Sequence, residues 1–186
     1  AKEQIRMGNE TILAIAKTVD AKDGNTSQHS VRVSKYSCMI ARELGYSDED
    51  LENLRRAALL HDIGKIGIPD KVLNKPDRLT DEEYAVMKSH VTVGGDILKD
   101  FTLIQHVQEG ALYHHERYDG FGYAFGLRGK DIPEIARIIG VADAFDAMTA
   151  NRVYRKKLSF DIVLEELKKG RGKQFDPDIL DIFLAL

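Results

Sequence analysis

Ala57-Ala58-Leu59-Leu60-His61-Asp62-Ile63-Gly64-Lys65 is the stretch on which the reading of this chain turns. Leu51, Leu54, Ala58 and His61 recur at the spacing of one helical face, so an apolar helix delivers His61 and Asp62 to its buried side at its C-terminal end. An ionised carboxylate there costs several kcal/mol unless a cation answers it. Lys65 alone cannot also satisfy the adjacent imidazole, whereas a bound metal satisfies both groups. Taken by itself, the dipeptide equally fits a hydrogen-bonded pair at a helix end, and the rest of the chain has to decide.

Upstream, Ser47 with Asp50 opens this helix. The helix before it ends at Leu44 and Gly45, and Asn25 with Gln28 marks its start as an N-cap and capping-box pair, with His29 in the first turn. Residues 1–23 form a further helix, with Ile5, Gly8, Ile12, Ile15 and Val19 spaced by three and four. That seam suits a short coiled coil, and with it a homodimer, as well as it suits packing on the chain's own domain.

Downstream, Pro69 and Pro76 punctuate a connection, and Thr80 with Glu83 forms a capping box opening a helix to about Leu98. Tyr84, Met87, Val91 and Gly94 trace its inner face, with His90 beside them. Thr102 caps a helix whose inner stripe is Ile104, Val107, Ala111 and His114, with His115 adjacent. His106 falls off that stripe and reads as a surface residue. Residues 117–131 hold four glycines among aromatics and form a loop. Asp131, Pro133 and Glu134 start a helix to about Ala150 that carries Asp143 and Asp146. Two shorter helices follow, from Ser159 to Gly170 and from Asp176-Pro177. Nothing reads as a strand, and the predicted fold is all-α, a single compact helical bundle.

Composition narrows the function. At 186 residues, with 43% hydrophobic and 31% charged, the chain suits one soluble domain with a full core. A net charge of -3 gives no electrostatic case for a nucleic-acid polymer or an anionic membrane surface. No apolar run approaches the roughly 20 residues that span a bilayer. Cys38, the one cysteine, sits among apolar helical positions, forms no intrachain disulfide and fits a reducing cytoplasm. Because Ala1 already lies in a helical pattern, residues 1–23 are expected to be a linker from an upstream region, with the domain proper at 24–186.

Five of the six histidines, His29, His61, His90, His114 and His115, lie on or beside inward stripes of different helices, and Asp62 and Asp143 join them. Burying so many ionisable groups together is unfavourable unless they share a cation; the competing reading is a set of separately satisfied core histidines. Imidazole and carboxylate suit divalent iron, manganese, zinc or nickel. The count suits two ions, with Asp62 as the bridge. Paired ions stabilise the attacking and leaving oxygens of phosphoryl displacement and acidify a bridging water, so phosphate-ester hydrolysis is the leading chemistry. Lys65 is placed to neutralise developing charge or protonate a leaving oxygen. In the basic run 150–157, Arg152 and Arg155 either take phosphate bidentately or answer the helix macrodipole. There is no phosphate-binding Gly-rich loop, nucleophile elbow or Cys-based zinc finger.

These residues resemble a known family. His61-Asp62, with His29 upstream and Asp143 beyond, resembles the HD superfamily of metal-dependent phosphohydrolases. His61-Asp62-Ile63-Gly64-Lys65 followed by His114-His115-Glu116-Arg117-Tyr118-Asp119-Gly120-Phe121-Gly122-Tyr123 resembles its HD-GYP branch, and Val141 to Thr149 and Arg152 to Lys156 match further blocks. The resemblance, over roughly residues 10–184, implies an all-helical cyclic di-GMP phosphodiesterase yielding pGpG, sometimes GMP, with iron or manganese bound. It implies His29, His61, Asp62, His90, His114, His115 and Asp143 as metal ligands, and Lys65, Arg152 and Arg155 as contacts to substrate phosphates. Tyr123 would belong to the loop closing the site, the 117–131 loop would meet a signalling partner, and a receiver or sensor module would precede the N-terminal helix. Another cyclic dinucleotide or a nucleotide as substrate, or a non-hydrolytic binding module, are the alternatives. Two departures stand out. Ala124 replaces the family proline, which frees the backbone and adds an N–H. Asn25 stands where members with a third metal carry glutamate, so two metals are expected rather than three.

Overall fold

The computed structural model describes residues 2–24, 28–150 and 158–186; Asn25, Arg152 and Arg155 lie outside them. Helices α1 (Lys2–Lys22), α2 (His29–Glu43) and α3 (Asp48–Leu60) lead into a 3-10 turn at Ile63–Gly67 and the single turn α4 (Asp70–Leu73). There follow α5 (Asp81–Lys88), α6 (His90–Leu98), α7 (Val107–Tyr113), α8 (Glu134–Thr149), α9 (Phe160–Lys169) and α10 (Pro177–Leu184). Among the described residues the only β pairing is an isolated bridge between Arg171 and Phe175, so the fold is all-α. No described helix is long and apolar enough to cross a membrane.

The bundle is organised around α3, because the end of that helix is apolar all round. Leu54, Ala57 and Ala58 join a cluster with Val33 and Ile40 of α2, Ile138 and Ile139 of α8, Val163 and Leu167 of α9, and Ile179 and Leu180 of α10. Leu59 and Leu60 face a second cluster with Ile12 and Ala16 of α1, Leu98 of α6, and Val107 and Ala111 of α7. A helix buried on opposite faces is fixed in rotation and translation, so the residues just beyond it, His61 and Asp62, are placed by core packing.

Sequence signals and structure agree at several helix ends. Ser47 Oγ accepts the N–H of Asp50, Thr80 and Glu83 form the reciprocal capping box, and Asp176 caps α10 ahead of Pro177. They part at others. The helix expected from Thr80 to Leu98 is two: Ser89 Oγ bonds the Val86 carbonyl at 2.6 Å and His90 Nδ1 bonds the Met87 carbonyl at 2.8 Å. These side chains take acceptors that a continuous helix would give to backbone N–H groups. Tyr84, expected inside, is 48% exposed. Thr102 caps nothing; α7 starts at Val107 behind a left-handed His106 (φ 62), although Ile104, Val107, Ala111 and His114 are all buried. Gln28 occupies the N-cap of α2 in left-handed conformation without a side-chain cap bond. In α1, Ile12 and Val19 are buried, but Ile5 and Ile15 of the expected seam are 58% and 39% exposed.

Candidate metal centre

The seven candidate ligands come together, and helix ends gather most of them. His29 is the first residue of α2, and His61 and Asp62 directly follow α3. His90 opens α6 one residue after α5, His114 and His115 follow α7, and Asp143 lies within α8.

The last carbonyls of a helix lack their full complement of backbone partners, and three histidines donate to them. Nδ1 of His61 donates to the Ala58 carbonyl at 2.6 Å, that of His90 to Met87 at 2.8 Å, and that of His114 to Gly110 at 2.8 Å. A carbonyl can only accept, so each Nδ1 carries the hydrogen, and Nε2 is the nitrogen that faces the centre. His29 is fixed likewise by a carboxylate, its Nδ1 lying 2.7 Å from Asp146 Oδ2. Asp146 is oriented in turn by Arg32 Nε at 2.6 Å. The C-terminal ends of α3, α5 and α7 also bring partial negative charge, which favours a cation between them.

The Nε2 atoms surround Asp62. Its Oδ2 lies 3.4 Å from His29 Nε2 and 3.3 Å from His61 Nε2, while its Oδ1 lies 3.4 Å from both His90 and His114 Nε2. Asp143 Oδ1 is 3.2 Å from His29 Nε2 and 3.8 Å from His61 Nε2. Two groups result: His29, His61 and Asp143 in one, and Asp62, His90, His114 and His115 in the other, with donor atoms within 4.8 Å of one another in each.

The residues fit divalent metal. Nε2 of His61, His90 and His114, together with Asp62 Oδ1, are buried and have no hydrogen-bond partner. Each such orphan costs about 1–3 kcal/mol if left unmet. Bonds of about 2.1 Å at tetrahedral or octahedral angles separate neighbouring donors by about 3.0–3.5 Å, which is the spacing found around Asp62.

Charge is distributed to match. Burial works to raise Asp62, but His61 and Lys65 outweigh it and hold the carboxyl well below the usual range; His29 and His61 do the same for Asp143. Burial disfavours charge on His61, yet Asp62 and Asp143 together push it up to about 9. His114 and His115 are held down, chiefly by burial. Lys65 Nζ bridges Asp62 Oδ2 at 2.9 Å and Asp23 Oδ2 at 2.7 Å, and these carboxylates hold its proton firmly against burial.

A cavity of about 190 Å³ opens over the centre, lined in part by His29, Lys65, His90, His115, Tyr123 and Asp143. A second, of about 270 Å³, shares His115 and Asp143 in its lining and is also lined by Ala136, Gly140 and Gln174. Tyr123 stacks on His115 with ring centroids 4.7 Å apart and lines the first cavity. His106 is exposed and remote from the centre, bonded to Glu109. Asp23, Asp20 and Asp146 escaped the sequence reading as site residues. For Asp146 the signal was its place three residues after Asp143 on one helix face. Asp20 accepts the N–H and hydroxyl of Ser30, next to His29, and sits where the helical pattern of α1 fades.

Fold and donor set together define a helical domain built to hold divalent metal. The family model described as HD domain matches residues 14–179, and the chain belongs to that family. It is 43% identical over 94% of its length to the cyclic di-GMP phosphodiesterase response regulator RpfG of Xanthomonas campestris, covering 47% of that protein. It is 40% identical over 90% of its length to 3'3'-cGAMP-specific phosphodiesterase 3 of Vibrio cholerae, covering 36% of it. The solved structure of Bd1817, an HDG"Y"P protein from Bdellovibrio bacteriovorus, superposes with a TM-score of 0.69 at 26% identity, over 86% of this chain and 51% of that one. The chain thus spans about half the length, or less, of the curated relatives it matches.

Proposed function

We propose that this domain is a metal-dependent phosphodiesterase that opens the ring of cyclic di-GMP to linear pGpG. The observation that carries the reading is Asp62, whose two oxygens face separate pairs of imidazoles, with Nε2 of His61, His90 and His114 left without a hydrogen-bond partner. In this reading His29, His61 and Asp143 hold one divalent ion, His90, His114 and His115 hold another, and Asp62 joins them. Iron and manganese suit this imidazole-rich, sulfur-free set. Two such ions, when bound, activate water and stabilise charge on the attacking and leaving oxygens.

The chain's own residues do the rest. Lys65 is a fixed cation: two carboxylates hold its proton, which favours charge neutralisation at the phosphate over proton donation to the leaving oxygen. Tyr123 covers one face of the cavity, and Arg152 and Arg155, outside the described residues, are assigned to the substrate phosphates. A cyclic dinucleotide carries two bases, which suits two cavities that share His115 and Asp143. The exposed apolar residues of the first turns of α1, Ile5 and Met7, suit a linker that pairs with a second copy or an upstream module. The 117–131 loop suits a signalling partner, and cytoplasmic action goes with this reading.

The 40% identity to a 3'3'-cGAMP-specific enzyme favours that nucleotide as the second candidate substrate. Protein loaded with iron or manganese is expected to convert cyclic di-GMP to pGpG or GMP, resolved by chromatography, and His61→Ala and Asp62→Ala to abolish it. Faster turnover of 3'3'-cGAMP would favour the second candidate. Full metal occupancy with binding but no turnover of either would make the domain a sensor rather than an enzyme.

A further inference from the structure

Glu116 follows the two histidines directly, and none of the metal chemistry requires it. It is 8% exposed. Oε1 accepts the N–H of Phe125 at 2.8 Å, while Oε2 is buried without a hydrogen-bond partner; burial raises the carboxyl's pKa against the opposing pull of the Phe125, Leu127 and Gly126 N–H groups. Successive donors can converge because the backbone turns left-handed on both sides of Phe125, at Ala124 (φ 99) and Gly126 (φ 68). Alternation of this kind turns neighbouring N–H groups to one side and forms a concave seat for an anion. The loop fills that seat with the chain's own carboxylate.

The other flank of Tyr123 is equally constrained. A Cβ at Gly122 would lie 2.5 Å from Arg117 N and 2.7 Å from both Glu116 Cα and the His115 carbonyl oxygen. Tyr123 is therefore set between a glycine pressed on the 115–117 backbone and a turn tied to the Glu116 side chain. Its ring lies on His115 with 23° between planes and meets His90 edge-on. Ala124 is essential to the arrangement. Proline fixes φ near −65°, and so could not hold the backbone that aims the Phe125 N–H at Glu116. An alanine holds it against a steric cost, which the Phe125 N–H bond to Glu116 helps to offset.

We infer that Glu116 is a positioning residue: its carboxylate, seated in a backbone nest that Ala124 makes possible, holds Tyr123 over His115 at the mouth of the metal centre. The kinetic consequence rests on the proposed phosphodiesterase reading; the structural half stands without it. The test compares metal-loaded wild type with Glu116→Ala, Glu116→Gln, Ala124→Pro and the Glu116→Ala/Ala124→Pro double variant. Amide hydrogen exchange, metal content and cyclic di-GMP kinetics are measured on each.

In Glu116→Ala, exchange at residues 125–127 should rise at least about tenfold while α7 and α8 stay protected. Metal content should not change, and KM should rise about tenfold with kcat within about threefold. Glu116→Gln, which keeps an acceptor, should restore most of both. Once Ala124→Pro has removed the nest, adding Glu116→Ala should change exchange no further. Unchanged exchange in Glu116→Ala, an undiminished effect of it beside Ala124→Pro, or loss of metal in Glu116→Gln would overturn the inference. If wild type fails to turn over cyclic di-GMP, the proposed function falls, and the exchange data still decide the role of Glu116.

Discussion

Nδ1 is the atom that determines what each histidine of the centre can do. Bonded to a carbonyl in His61, His90 and His114 and to a carboxylate in His29, it fixes which nitrogen faces Asp62. His29 alone depends on a side chain, so it is the ligand candidate most open to indirect change. Asp146→Asn keeps an acceptor but removes the charge that raises His29 basicity and pairs with Arg32. It should weaken metal binding about 10–100-fold without loss of helicity, read by competition with a chromogenic chelator and by circular dichroism. Affinity equal to wild type would mean that His29 is not a ligand. Such roles were beyond sequence reasoning for a plain reason: Asp146 is 117 residues from His29, and Asp23 is 42 from Lys65. Only the fold brings them together.

At the scale of elements, the centre depends on how closely the 3-10 turn after Asp62 approaches α6. A Cβ on Gly64 would lie 1.7 Å from the His90 carbonyl oxygen and 2.5 Å from Gly94 N. Gly64→Ala must therefore push apart the segments that carry Asp62 and His90. It should cost roughly 3 kcal/mol or more in denaturant unfolding and abolish binding at the His90 group. A second prediction concerns α10. Asp176 is buried at its N-terminus, accepts the Asp178 N–H at 2.9 Å and pairs with Lys130 and Arg137. Burial works to raise its pKa, but these partners hold it below the usual carboxylate range. A depressed folded-state value stabilises the protein above the unfolded value of about 3.9, and the contribution is lost as pH falls through the folded value. Asp176→Asn should accordingly destabilise by about 2 kcal/mol at pH 7, with the difference shrinking below about pH 4. A constant difference across that range would contradict the assignment.

Helix existence and most caps were legible in the sequence, because Ser47, Thr80 and Asp176 act on N–H groups two or three residues away. The break at Ser89 was not, since it depends on His90 turning its Nδ1 back to Met87 so that Nε2 can face Asp62. The late start of α7 was hidden for a similar reason: its apolar stripe continues through residues that the chain buries without winding them into helix. The clustering of the candidate ligands was legible, because a histidine ending an apolar helical run stands out where a distant carboxylate partner does not.

Across the whole molecule, α3 lies between two apolar clusters and its end is pinned to α1 through Asp23 and Lys65. The centre is thus coupled to global stability, and metal that binds only the folded state should raise it. At a hundredfold excess over Kd the gain is about 2.7 kcal/mol per ion, or roughly 5–10 °C in Tm for a domain of this size. Scanning calorimetry with iron or manganese, and after chelation, would show it. An unchanged Tm would mean that the orphaned imidazoles are met by something other than metal.

The most direct test of the central claim is a crystal structure of metal-loaded protein with anomalous scattering collected at each candidate element's edge. Two peaks are predicted, one among His29, His61 and Asp143 and the other among His90, His114 and His115, with one oxygen of Asp62 on each. A single peak, or none in protein that still hydrolyses cyclic di-GMP, would contradict it.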